Sequence, residues 1–134
     1  MNAVAIDTNV LVRLFVDDDL AQQNTAVQLL EAAEVVVIPT TVLMETIWVL
    51  NRSYKIPNDE ILAILRDFIA SIPKLMVDEN AVEAGFAVMA RNGDFADGVN
   101  AFGGGMLGAR TFATFDKQAA KLLGETGVDA LLLK

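Results

Sequence analysis

Short apolar runs alternate along the chain with stretches in which apolar residues recur every three or four positions. The first run, residues 3–6, stops at Asp7, and Val10, Leu11, Leu14 and Phe15 then fall at helical spacing; this predicts strand, turn and helix. Asp17, Asp18 and Asp19 end that helix, and residues 21–33 predict a second, with Ala26, Leu29, Leu30 and Ala33 on one face. Residues 35–38 are all β-branched and precede Pro39, the pattern of a strand buried in a parallel sheet. Thr40 or Thr41 is the expected cap of a helix over 42–54, and Asn58 or Asp59 of the next, which carries Ile61, Leu62, Leu65, Phe68 and Ile69 and ends by Pro73. A short strand is expected over 75–77 and a helix over 79–90 closed by Asn92 and Gly93. Asp94 caps a helix beginning at Phe95; it is expected to fray at Gly103, Gly104 and Gly105, since each glycine costs ~1 kcal/mol against alanine in a helix. A strand over 111–115, a helix over 117–123 and a strand over 128–133 complete the pattern.

Strands alternating with helices, without linker or repeat, predict an α/β fold: a central, mainly parallel sheet flanked by helices in one domain over residues 1–134. The chain has 134 residues, a size that one hydrophobic core serves. Its apolar share of 54% exceeds the usual ~45–50%, which suggests that some apolar surface is covered in a subunit interface. With no cysteine and no histidine, disulfides, thiolate zinc sites and most hydrolytic triads are excluded. The N-terminal residues lack a basic region and no apolar run is long enough to span a membrane, so a soluble cytoplasmic protein without membrane contact is expected. The net charge of -8 disfavours a broad basic surface for nucleic acid. If the substrate is a nucleic acid, bound cations must supply positive charge, and they need clustered carboxylates.

Candidate carboxylates follow from the topology. In open parallel sheets the ligand site lies beyond the carboxyl ends of the strands, where Asp7 and Asp116 fall. Glu45 stands about a turn into the helix that leaves the second strand. Apolar neighbours surround it almost all round, so it is expected to be at least partly buried, and then neutralised, paired with Arg13 or Arg52, or bound to a cation. Ordinary roles also exist for the aspartates: Asp94 and Asp116 are good helix caps, Asp97 lies in a first helical turn, and Asp7 can close an Asx turn before Asn9. Four acids aimed at one end of a sheet would repel by ~4 kcal/mol per pair ~4 Å apart at an effective dielectric of 20, and divalent cations relieve that repulsion. Mg²⁺ or Mn²⁺ suits such oxygen ligands, and one or two such ions can assist in-line phosphodiester hydrolysis without histidine or cysteine.

At these residues the chain resembles the PIN-domain ribonucleases, and within them the VapC-type toxins of bacterial toxin–antitoxin pairs. The resemblance rests on Ile6-Asp7-Thr8-Asn9-Val10-Leu11-Val12-Arg13, Pro39-Thr40-Thr41-Val42-Leu43-Met44-Glu45, Asp94-Phe95-Ala96-Asp97 and Thr114-Phe115-Asp116-Lys117, in the family's order. It implies that Asp7, Glu45, Asp97 and Asp116 are the metal-binding acids, with Asp94 accessory and Asn9 and Thr114 as polar supports. It further implies a three-layer fold, endonucleolytic cleavage of RNA, a homodimer, and a cognate antitoxin protein that occupies the active groove. The segment Asn100-Ala101-Phe102-Gly103-Gly104-Gly105 departs from the Ala- and Leu-rich helix of relatives.

Arg13, Arg52, Lys55, Arg110, Lys117 and Lys121 are candidates for steering the RNA backbone, though any one of them is more readily explained as solvated surface charge. Trp48 and Tyr54 are expected in the core or an interface rather than as base-stacking platforms, and the helices holding Ala21 and Ile61 offer apolar faces for a dimer. The alternative is a weak or inactive module whose acidic groove binds a basic partner segment; calorimetric Mg²⁺ titration separates the two readings. An aspartyl-phosphate phosphatase fits less well, because Thr8-Asn9 follows Asp7 where a second aspartate is needed.

Overall fold

The computed structural model describes residues 2–134, and the chain forms two compact units, residues 1–78 and 79–134. The first contains β1 (Ala3–Ala5), α1 (Thr8–Phe15), α2 (Leu20–Ala32), β2 (Val35–Val37), α3 (Thr40–Arg52), α4 (Asn58–Ser71) and β3 (Leu75–Met76). Its three strands pair in the order β1-β2-β3, all parallel, with Val4 opposite Val36 and Val36 opposite Leu75. The Ile6 amide donates to the Val37 carbonyl and the Ile38 amide to that of Met76, so the ladder continues one residue past the strands, to the edge where Asp7 follows. Leu11 and Val12 of α1, Val36 and Ile38, Leu43 and Leu50 of α3, and Ile61 and Leu65 of α4 are fully buried. Phe15 meets Phe68 edge-on with ring centroids 4.9 Å apart, tying α1 to α4.

The second unit contains α5 (Glu79–Met89), α6 (Phe95–Met106), β4 (Phe112–Thr114), α7 (Lys117–Glu125) and β5 (Ala130–Leu132), with β4 and β5 parallel. Val88, Leu122 and Leu123 form its buried centre, against which Phe112, Val128 and Ala130 pack. The α5–α6 pair is close because two glycines allow it. A Cβ on Gly98 would stand 2.2 Å from the Ala84 carbonyl oxygen, and one on Gly85 would stand 2.5 Å from the Phe95 ring, which is buried there.

The α/β class and the parallel pairing match the sequence reading, while several boundaries differ for local reasons. Neither Thr40 nor Thr41 caps α3, nor Asn58 or Asp59 α4: Pro39 and Pro57 hold the cap positions without a side-chain bond. Proline has its φ already set and no amide to satisfy, so the following residue enters the helix directly. The Asn58 side chain instead accepts from Asn51 Nδ2 at 2.8 Å. The glycine segment does not fray; α6 runs to Met106, closed by the Leu107 amide on carbonyls of the last turn. Its first half is fixed against α5, and adding residues to a helix already nucleated is far easier than starting one.

Candidate functional site

Three of the acids singled out in the sequence, Asp7, Asp94 and Asp116, stand at helix starts, and local hydrogen bonds explain their placement. Asp7 is exposed at the end of β1 and caps α1, Oδ1 accepting from the Val10 amide at 3.2 Å; it forms a helix cap rather than an Asx turn with Asn9, which is exposed in the first turn. In the second unit Asp94 caps α6 by accepting from the Ala96 amide at 2.9 Å. Asp116 caps α7 by accepting from the Ala119 amide at 3.0 Å. The Asp116 amide in turn donates to Thr114 Oγ1 at 3.0 Å, so the last residue of β4 fixes the backbone that carries this carboxylate. Caps of this kind occupy one carboxylate oxygen and leave the other for a ligand.

Asp97 differs from these three. It is half-buried in the first turn of α6, its carboxylate accepts no hydrogen bond among the described residues, and its pKa is raised by burial first and then by the charges of Asp94 and Asp116. Two further carboxylates of the same unit thus act on Asp97, and no basic side chain offsets them there. Such an excess of hard oxygen charge fits Mg²⁺ or Mn²⁺ by donor chemistry, although no group of three acids among the described residues is drawn into a ready-formed metal cage.

Glu45 corrects the sequence reading. It is exposed, not buried: the core stripe of α3 is Leu43, Thr46, Ile47 and Leu50, and Glu45 lies off it on the side of Trp48, itself 59% exposed. The apolar residues around Glu45 are therefore not all core residues. Neither expected arginine pairs with it. Arg13 bonds to Asp18, which also accepts from the Tyr54 hydroxyl at 2.6 Å, and these contacts, Tyr54's foremost, hold the Asp18 carboxyl below its ordinary range. Arg52 lies over the Trp48 ring, 5.4 Å from its centroid. Trp48 is thus not in the core, and Tyr54 is partly buried.

Thr46, beside Glu45, went unnoticed in the sequence. It is fully buried and its hydroxyl has no partner among the described residues; the only signal was a threonine at the core spacing of an apolar helix. Replacing it by isosteric valine removes an unsatisfied group, so Thr46→Val is expected to be neutral or to stabilise by up to about 1 kcal/mol in denaturant unfolding. A loss of stability would show that the hydroxyl is satisfied. A separate cavity of about 320 Å³ in the second unit is lined by Asn100, Gly104, Arg110, Phe112 and Asp129 among others, and by none of Asp94, Asp97 and Asp116.

The chain matches the PIN domain family over residues 4–123, from β1 into α7. No curated protein matches it significantly. PIN domains are typically nucleases, a class of hydrolase, and generally use divalent metal ions. No helix among the described residues is long and apolar enough to cross a membrane.

Proposed function

The chain belongs to the PIN-domain family, and from that premise we propose that it is a metal-dependent endoribonuclease acting as the toxin of a toxin–antitoxin pair. The metal-binding acids of this proposal are Asp7, Glu45, Asp97 and Asp116, with Asp94 accessory. The observation that carries it is the state of Asp97: a half-buried carboxylate without a hydrogen-bond donor among the described residues, its pKa pushed up by burial and by two further aspartates. A protein gains nothing in stability from that arrangement unless a cation joins it.

A divalent cation held there supplies Lewis acidity, lowering the pKa of water and stabilising the departing oxygen of a phosphodiester. The chain's own residues do the positioning. Thr114 Oγ1 and the α7 amide of Ala119 fix Asp116 from two directions, and the α6 amide of Ala96 fixes Asp94. The capping bond on Asp7 likewise sets its direction at the end of β1. Within the second unit the contacts on Asp94 and Asp116 hold carboxylates that would otherwise turn away from Asp97 under repulsion.

The antitoxin and the homodimer belong to the same proposal. A basic segment suits a chain of net charge -8, and Met106 and Leu107, 72% and 92% exposed at the end of α6, offer apolar surface for association.

The test is cleavage of RNA by the purified protein. Activity is expected with Mg²⁺ or Mn²⁺, lost on chelation and restored by either ion. Expression of the protein alone is expected to arrest bacterial growth, and that of Asp7→Asn is not. Cleavage that persists in chelator, or growth arrest by Asp7→Asn, defeats the proposal.

A further inference from the structure

The exposed residues of α3 form one stripe, Thr41, Glu45, Trp48 and Arg52. At 100° per residue Glu45 and Arg52 stand about 20° apart around the helix, and Trp48 is one turn, about 4.5 Å of axial rise, from Glu45. Trp48 is the only tryptophan of the chain. It lies 59% exposed with the Arg52 guanidinium over its ring.

The cations nearby are uncommitted. In the first unit Arg13 is taken by Asp18, Lys74 donates to the carbonyls of Glu31 and Ala33, and Arg66 has an intramolecular partner. Arg52 and Lys55 have no carboxylate partner among the described residues, and they follow Trp48 directly on α3 and just past its end. In a chain of net charge -8, the free positive charge of this unit is thus gathered beside one exposed aromatic ring.

We propose that Trp48 is a stacking platform for an unpaired base of the RNA substrate, with Arg52 and Lys55 contacting the backbone phosphates on either side of that base. This rests on the nuclease reading and names the residues that would hold an unpaired base of its substrate. The bases of an A-form duplex are stacked on one another and offer no free face to a side chain. A guanidinium lying on an indole holds the ring in one orientation and remains able to donate to phosphate from its edge. The stripe around Trp48 is polar, with Thr41, Glu45 and Arg52, so it presents the apolar area of one ring. That matches a base and falls well short of the roughly 800 Å² per partner of a stable protein interface.

Trp48 also reports on itself, since its fluorescence can be excited without interference from another tryptophan. The experiment titrates the Asp97→Asn protein, so that nothing is cut, with a short fluorescein-labelled single-stranded RNA and with the same sequence as a duplex. Label anisotropy and tryptophan emission are read together. Saturable quenching by the single strand, and little by the duplex, is expected. In the wild-type background Trp48→Ala is expected to raise KM for single-stranded RNA about ten- to a hundredfold, the loss falling on KM rather than kcat, while Trp48→Phe restores most of it. Arg52→Ala is expected to reduce the slope of log affinity against log salt by about 0.7, one phosphate contact.

Anisotropy that reports binding while the emission stays unchanged overturns the proposal and leaves the nuclease reading standing. So does a Trp48→Ala enzyme with the wild-type KM. Emission that shifts with protein concentration in the absence of RNA places Trp48 in a subunit interface and overturns it as well. Absence of both RNA binding and wild-type cleavage removes the nuclease reading itself.

Discussion

Asp97→Asn is expected to abolish RNA cleavage and, in the same protein without metal, to raise the melting temperature at neutral pH by a few degrees. The two effects share one cause. Asp97 is half-buried beside two like charges, and its carboxyl holds its proton more tightly in the folded chain than in the unfolded one. The folded state therefore binds more protons over the window between the ordinary aspartate pKa and the raised folded value, and stability falls as pH rises through that window. Below it the carboxyl is neutral in both states and no penalty exists; above it the penalty is complete. Asparagine has nothing to ionise, so its advantage over the wild type should appear across that window, stay constant at higher pH and vanish in acid. Loss of an acid that holds the metal should lower activity by at least about a hundredfold, since even outer partners of such ligands cost 10–100-fold. Mg²⁺ should reverse the order of stability, raising the melting temperature of the wild type by binding the native state and that of the variant much less. Calorimetric melts from pH 3 to pH 8, with and without Mg²⁺, check all of this. An Asp97→Asn protein that is less stable at neutral pH, or that cuts RNA as the wild type does, would falsify the role given to this carboxylate.

The same residues show how far the sequence could be read. The run of valines at Val35–Val37 admits little but a buried strand, and it forms the middle of the three-stranded sheet. Asp94 and Asp116 could be read as caps to the residue, because helix starts are local events, and each caps the helix that follows it; Asp7 falls at the end of β1 as expected but caps α1 instead of closing an Asx turn. Glu45 could not be read this way. Apolar residues occur almost all round α3, and periodicity alone does not say which of them meet a neighbouring element. Leu43, Ile47 and Leu50 do, whereas Trp48 stays in water. The buried hydroxyl of Thr46 was hidden for the same reason. The glycine segment misled in the opposite direction, since intrinsic propensity predicts fraying and the helix is held at its start by contacts with α5 that no local rule anticipates.

Those contacts carry the second large expectation, which sets two glycines of one helix against each other. Gly98→Ala is expected to destabilise the chain by about 3 kcal/mol, near the upper end of what overpacking usually costs, and to lower its melting temperature by about 10 °C. A Cβ there would lie 2.2 Å from the Ala84 carbonyl oxygen, 2.7 Å from its carbon and 2.8 Å from the Gly85 Cα. All three are backbone atoms within α5, so no side-chain rotation can make room, and α6 must lift away. Gly103→Ala tests the same helix in the opposite sense. Nothing lies within 4 Å of its added Cβ, so only the helical preference of alanine changes, stabilising by ~1 kcal/mol. Activity should follow the same division. Gly98 adjoins Asp97, and the close approach of α6 to α5 sets that carboxylate half-buried in the first turn. Lifting α6 exposes Asp97 to water and relaxes the burial that raises its pKa, so Gly98→Ala should lose cleavage even well below its melting temperature, while Gly103→Ala should keep it. Equal melting temperatures for the two variants would mean that α5 and α6 do not approach as closely as their glycines permit.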